Sequence, residues 1–381
     1  MLGQRFGKYI LIRKLATGGM ADIYLARQEG VEGFQKDIVI KKIRAEIGQK
    51  PEFVQMFLNE AKLAAMLTHP NICQIFDLGK IGDSYFIAME YIAGRDMNRI
   101  INASAKRGIP FPMEYALKIA SNVCEGLYYA HSKVDYNGNP LNIVHRDITP
   151  ENIMVSWDGA VKILDFGIAK ATNLVSTDRE GEVKGKLSYI SPEQLQGKEA
   201  DQRSDIFSLG VVLYEWITGY KLFRGETDEA VIKSITEGKI YPPSFFKPDL
   251  PKQVEKILMS ALEKDPEKRY KNAWDMQFEI DSFLSQHEFT PSNVHLSNFI
   301  KQLFKDEIEK ERKITGKKII AVPPPLPGSK SPHRTIANAG RTVQINLPED
   351  IFVNISQIAQ KNEMTVSNLV EEIVKFYLKY K

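Results

Sequence analysis

Cysteine is scarce in this 381-residue chain: only Cys73 and Cys124 occur, far apart and without metal-ligand spacing. That excludes a disulfide framework and a cysteine-built zinc site, and reads as two packed thiols in a reducing compartment. Long apolar runs are lacking as well. The longest, Ile206 to Gly219, is interrupted by Glu215 and is shorter than the roughly 20 residues a membrane span needs. The N-terminus has no basic-then-apolar signal pattern. Charge of one sign is also missing. The formal net charge is +3, so the chain is not built as a polycation for nucleic acid or membrane surfaces. No long-period repeat is present. A cytoplasmic protein without a membrane partner is the expectation, and the length allows more than one domain at roughly 100–200 residues each.

What is present begins as short β-branched and aromatic runs. Tyr9 to Leu15, Ile23 to Arg27, Ile38 to Ile43, Ile72 to Gly79 and Tyr85 to Tyr91 read as strands. Phe53 to Leu67 carries Phe53, Phe57, Ala61, Ala64 and Ala65 at helical spacing. From Glu114 to Leu284 the pattern is mostly helical, with a stranded stretch at Ile153 to Leu164. A helical tail is expected from Ser292 to about Arg312. Pro323-Pro324-Pro325-Leu326-Pro327-Gly328 cannot be helical and reads as a semi-rigid linker.

Chemistry concentrates in a series of motifs. Ala16-Thr17-Gly18-Gly19-Met20-Ala21-Asp22-Ile23 lies between two strand-like runs, and glycine there lets backbone N–H groups approach a ligand closely. Alone it reads equally as a hairpin turn. Ile38-Val39-Ile40-Lys41 puts a lysine in an apolar strand, where an unpaired charge is costly, and Glu60 on the next helix is the natural partner. Either residue alone would read as a solvated surface charge. His145-Arg146-Asp147-Ile148-Thr149-Pro150-Glu151-Asn152, Asp165-Phe166-Gly167 and Ser191-Pro192-Glu193 follow in order.

Together these segments resemble the bacterial Hanks-type serine/threonine protein kinases, and Gly18-Gly19-Met20 and Ser191-Pro192-Glu193-Gln194 are the closest points of likeness. Ala16 and Ala21 stand where the family pattern has its first and third glycines. The resemblance implies a bilobal α+β fold, with a small β-rich N-lobe and a large helical C-lobe. It also implies Mg-ATP as phosphoryl donor, with manganese as the alternative metal. Lys41 would hold the α- and β-phosphates, Ala16, Gly18, Gly19 and Ile23 would cover the nucleotide, and Met89, Glu90 and Ile92 would form the adenine hinge. Asp147 would take the substrate hydroxyl's proton, while Asn152 and Asp165 would hold the metal. Asp205 would brace the catalytic loop, and Arg269 would pair with Glu193.

One position departs from that family. Two residues after Asp147, where serine/threonine kinases carry a lysine that neutralises the transferring phosphoryl group, this chain has Thr149. Tyrosine kinases also lack that lysine. The family usually has threonine where Lys186 stands, so the two residues look exchanged between loops. Lys186 would then supply the missing charge, although it also reads as a surface lysine in a loop. Arg146 would receive a phosphate from the activation segment, with Thr172, Ser176 and Thr177 as candidate acceptors among its polar residues.

The chain closes on a patterned segment. Thr342 to Pro348 alternates with period two, Glu349 to Asn362 reads helical, and Thr365 is a good N-cap for a helix running to about Tyr380. One strand and two helices bury too little surface alone. The order resembles ribbon-helix-helix proteins, in which two chains pair strands, and so implies a homodimer through 341–381. In that family the outward strand residues read DNA, which singles out Thr342, Gln344 and Asn346. Arg341 to Lys381 has five basic and five acidic residues, which argues against a DNA partner. The expected organisation is a kinase domain over 8–285, a helical extension over 286–315, a basic Pro-rich linker over 316–340 and the module over 341–381. The favoured reading is an ATP-dependent protein serine/threonine kinase that autophosphorylates. A DNA-binding regulator with a kinase attached and a pseudokinase scaffold are the alternatives.

Overall fold

The computed structural model describes residues 3–166, 186–286 and 289–315, with two short segments at 335–338 and 341–344. Backbone contacts divide the chain into two compact units, Met1–Gly316 and Lys317–Lys381.

The first unit opens with a six-stranded antiparallel sheet, β1 (Gln4–Phe6), β2 (Tyr9–Thr17), β3 (Ala21–Glu29), β4 (Gln35–Ile43), β5 (Ile75–Ile81) and β6 (Ser84–Glu90), in the order β1-β2-β3-β4-β6-β5. Alternation along β4 separates its two faces. Ile38 and Ile40 enter a buried cluster with Phe6, Tyr9, Leu11 and Phe86. Ile43 joins Ile87 against Phe57 and Ala61. Those two residues belong to the helix Pro51–Ala64, here α2, which follows the short α1 (Ala45–Gly48). Proline opens α2 two residues before the expected start, where its missing N–H costs nothing.

The expected strand Ile72 to Gly79 forms only from Ile75. Ile72 and Cys73 turn away from the sheet: Ile72 bridges Ile163, and the Cys73 N–H donates to Ile163 O at 2.9 Å. The stranded stretch at 153–164 resolves into β8 (Ile153–Ser156) and β9 (Val161–Ile163), which join β7 (Gly94–Asp96) in a small sheet.

Helices α3 (Met97–Lys106), α4 (Met113–His131), α5 (Pro192–Leu195), α6 (Gln202–Thr218), α7 (Asp228–Thr236), α8 (Lys252–Ala261) and α9 (Ala273–Gln286) build the larger lobe. The long apolar run is α6, buried on nearly every side, as an all-round hydrophobic helix must be in a soluble core. Glu215 is tolerated there because Tyr189 OH (2.8 Å) and the Leu222 N–H (3.3 Å) donate to its carboxylate. Among the described residues no helix is long and apolar enough to cross a membrane. The tail expected as one helix is two, α10 (Asn293–Leu303) and α11 (Lys305–Thr315), broken at the buried Phe304.

In the second unit, β10 (Thr335–Asn338) and β11 (Arg341–Gln344) pair antiparallel within the chain, with Ala337 opposite Thr342 and Thr335 opposite Gln344. The strand expected at 342–348 thus appears in part, with a partner in its own chain. Asn346, the proline run at 323–328 and both expected helices beyond 349 lie outside the described residues, while β10 falls inside the segment expected as linker, 316–340.

Candidate active site

Cross-strand register assembles the upper wall of a cleft. Ala16 faces Ile23, Ile23 faces Lys41, and Lys41 faces Ile87, so one row crosses β2, β3, β4 and β6. Gly18, Gly19 and Met20 make the turn between β2 and β3, closed by the Gly18 N–H donating to Ala21 O at 2.9 Å. Ile87 packs on α2, which carries Glu60. Lys41 Nζ is 3.1 Å from Glu60 Oε1 and 2.9 Å from Asp165 Oδ1. Burial alone would discharge this lysine, but the Asp165 and Glu60 carboxylates outweigh it and hold its pKa above the ordinary lysine value. The ammonium is therefore permanent.

Met89, Glu90 and Ile92 lead from β6 towards β7. The Glu90 carboxylate is engaged by Lys162 Nζ at 2.8 Å and the Gln74 N–H at 3.2 Å. Its backbone carbonyl accepts from the Cys73 thiol at 3.7 Å. Burial pushes that thiol up to about 12, as expected for an inert packed cysteine.

The lower wall is set by a buried carboxylate. Asp205, on α6, is fully buried and accepts the backbone N–H groups of His145 and Arg146 at 2.7 Å each, and His131 Nε2 lies 2.8 Å away. Burial would raise its pKa, yet His131, His145 and these backbone donors outweigh that and hold it below the ordinary value. The carboxylate so fixes Arg146 in a left-handed conformation, φ 64°. His145 is oriented at both nitrogens. Nδ1 accepts the Asp147 N–H at 3.2 Å, which leaves Nε2–H to donate to Leu164 O at 2.8 Å. Burial favours this neutral imidazole. One ring therefore ties the Asp147 loop to the strand that ends at Asp165.

Asn152 Nδ2 donates to Asp147 O and to Asp147 Oδ2, both at 2.8 Å. With both amide hydrogens spent on Asp147, the group left on Asn152 is an oxygen acceptor. Asp165 has φ 38°, a conformation that favours glycine. Burial would raise its pKa, but Lys41 above all, with a smaller contribution from Lys186, keeps it ionised below its ordinary value. Thr149 is buried, and its Oγ1 finds no hydrogen-bond partner among the described residues. Arg146 Nε is likewise buried and unpartnered among them.

Arg269 grips Glu193 in a bidentate pair at 2.7 and 2.8 Å, with Ser204 Oγ donating to the same carboxylate at 2.7 Å. Its remaining N–H groups reach the carbonyls of Glu263, Arg203 and Lys264. All five guanidinium hydrogens are thus spent, two on the Glu193 carboxylate and three on backbone carbonyls. Thr172, Ser176, Thr177, Gly167 and Gly185 lie outside the described residues. The structure thus joins Lys41, Glu60 and Asp165 by ion pairs, Asp147 to Asn152 by hydrogen bonds, and these two groups through His145, while Lys186 is exposed and Glu193 is held by Arg269. The motif reading missed His131. Its contact with Asp205 spans 74 residues and leaves no local pattern.

An oxygen-rich pair, Asn152 and Asp165, suits a hard divalent cation such as magnesium, which takes few protein ligands and completes its shell with water and phosphate.

Residues 9–279 match the family model described as "Protein kinase domain". The chain is 43% identical over 309 residues to the tyrosine-protein kinase MasK of Myxococcus xanthus, covering 81% of this chain and 48% of that protein. It is 35% identical over 281 residues to the serine/threonine-protein kinase PrkC of Bacillus subtilis, covering 74% of this chain and 41% of that protein. The chain thus spans less than half the length of these curated relatives. In fold it is similar to the crystal structure of the Mycobacterium tuberculosis PknI kinase domain, with TM-score 0.55 at 24% identity, covering 74% of this chain and 98% of that one.

Proposed function

This chain belongs to the protein kinase family, and from that premise we propose that it transfers the γ-phosphoryl group of ATP to protein hydroxyl groups. The observation that carries the reading is the Lys41 ammonium held between Glu60 and Asp165, beside the Asn152–Asp147 pair. Lys41 binds the α- and β-phosphates. Ala16, Gly18, Gly19 and Ile23 lie over the nucleotide, and the backbone of Met89, Glu90 and Ile92 holds the adenine. Asn152 and Asp165 would hold magnesium, or manganese, which supplies charge neutralisation at the phosphates. Asp147 orients the acceptor hydroxyl for in-line attack and takes its proton. Lys41, Glu60, Asp147, Asn152 and Asp165 are all present, which argues against a pseudokinase scaffold.

Serine and threonine are the proposed acceptors, with autophosphorylation at Thr172, Ser176 or Thr177 and Arg146 as the receptor of that phosphate. Tyrosine is the second reading, supported by Thr149 in place of the catalytic-loop lysine. In either case Lys186 supplies the missing cation. Three things support this: Lys186 is among the charges that lower the Asp165 pKa, it is exposed, and the Thr149 hydroxyl has no partner among the described residues.

The kinase domain is assigned to 8–285, with the helical extension at 286–315 and the linker at 316–340. Residues 341–381 are proposed as a ribbon-helix-helix dimerisation module. Its support is the amphipathic pattern of two helices too small to fold alone. Thr342, Gln344 and Asn346 remain DNA-contact candidates on residue type, against a module of zero net charge. The test of the kinase reading is incubation with γ-labelled ATP and magnesium. The wild-type chain labels itself or an added basic protein, and the Asp147→Asn chain does not. Equal labelling by both would overturn the assignment of Asp147.

A further inference from the structure

Helices α10 and α11 lie beyond the matched family region, yet they are bonded to the strand that leaves the hinge. Trp157, just after β8, is the junction. Its N–H donates to Ala93 O at 2.7 Å, directly after the hinge residue Ile92, and its carbonyl accepts from Ser297 Oγ on α10 at 2.7 Å. Its ring lies 5.8 Å from that of Phe304, tilted by 49°, and Phe304 sits between α10 and α11. Arg95 of β7 lies over both rings, 4.9 Å from Trp157 and 5.7 Å from Phe304. Its guanidinium donates twice to Glu307 Oε2 on α11, at 3.1 and 2.7 Å. The Arg95 side chain is 12% exposed, and its guanidinium also donates to Gly94 O at 2.8 Å, so it stays partly satisfied without Glu307. A side chain on Gly159 would run into the backbone of Asn293, so the turn between β8 and β9 also abuts the extension directly.

We infer that this two-helix extension is a positioning element for the nucleotide site, with Glu307 and Phe304 acting through Arg95. β7 connects the hinge to α3 and pairs with β8, Asp96 opposite Met154, two residues beyond Asn152. An element that fixes Arg95 therefore fixes the hinge exit on one side and the strand after the metal-binding asparagine on the other. The partners of Glu307 and Phe304 are Arg95 and Trp157, not the residues assigned to the cleft. Their effect is on the placement of backbone that does. This inference rests on the reading of Met89 to Ile92 as an ATP hinge.

The experiment uses the full chain and two variants. Glu307→Ala removes a side chain that is 52% exposed and cheap to lose for folding. Phe304→Leu keeps an apolar side chain of somewhat smaller volume but removes the ring over which Arg95 lies. Nucleotide binding is measured by direct titration with a fluorescent ATP analogue, alongside KM for ATP, kcat and thermal midpoint. Each variant is expected to weaken nucleotide binding and raise KM by roughly 3- to 10-fold, the range for one partly exposed ion pair or cation–π contact. The kcat is expected to stay within about twofold, and Glu307→Ala leaves the melting temperature unchanged. Unaltered nucleotide affinity in both variants overturns the inference. So does a fall in kcat and melting temperature with affinity retained, which would mark the extension as structural only. A wild-type chain that binds no nucleotide overturns the hinge reading, and the inference with it.

Discussion

Replacing Lys186 by methionine removes the cation assigned to the transferring phosphoryl group while keeping the length of the side chain. The size of the effect follows from what else is charged there. Lys41 is committed to Glu60 and Asp165, His145 is held neutral by burial, and Thr149 contributes an uncharged hydroxyl. Among the described residues, Lys186 is a further cation that lowers the Asp165 pKa. Loss of one preorganised donor from a reacting centre costs about 10²–10³ in kcat, or ~2.7–4 kcal/mol. Lys186→Met is expected to lose that much, with KM for ATP changed only a few-fold, because Lys41 and the hinge still bind the nucleotide. Lys186→Arg keeps the charge and should retain most of the activity. Steady-state kinetics with a peptide acceptor measure both. Lys186 is exposed, so the melting temperature serves as a control and should not move. Full kcat in Lys186→Met would refute the exchange of lysine and threonine between the two loops.

Arg269→Met strands the Glu193 carboxylate in a buried site. It should destabilise the protein by about 3–5 kcal/mol in chemical denaturation, whereas a loss below about 1 kcal/mol would mean the pair is dispensable. His145 and His69 are both held below their ordinary pKa by burial. The unfolded chain therefore binds more protons than the folded one as pH drops below about 6.5, and stability should fall by up to about 1.4 kcal/mol per pH step for each histidine. A denaturation midpoint flat between pH 7 and 5 would contradict that sign. Val370→Asp, on the apolar face of the last expected helix, should convert a dimer to a monomer in sedimentation. A wild-type chain that sediments as a monomer would exclude dimerisation by the C-terminal segment.

The catalytic groups were legible because each lies in a contiguous motif whose chemistry is local. Asp147 and Asn152 are five residues apart and bond directly. The pairing of Lys41 with Glu60 followed from the cost of burying one lysine in an apolar strand. What escaped the sequence depends on distant partners. Ile72 and Cys73 read as strand, and only the position of β9 explains why they leave the sheet. The break at Phe304 follows from a pocket made by Trp157 and Arg95, which no helical periodicity encodes. The role of Asp205 came through family resemblance, but its third contact, His131, has no neighbourhood in sequence. The β10 partner of the 342–348 strand was likewise missed, because a four-residue run beside a proline-rich segment carries little periodic signal.

The central claim is that this cleft transfers phosphate to protein hydroxyls through Asp147. Its most direct test is phosphosite mapping by mass spectrometry of the full chain after incubation with magnesium and ATP, with the Asp147→Asn chain as control. The account predicts phosphate on serine or threonine between 168 and 185 in the wild type and none in the variant. A wild-type chain that carries no phosphate, and transfers none to an added protein, would contradict it.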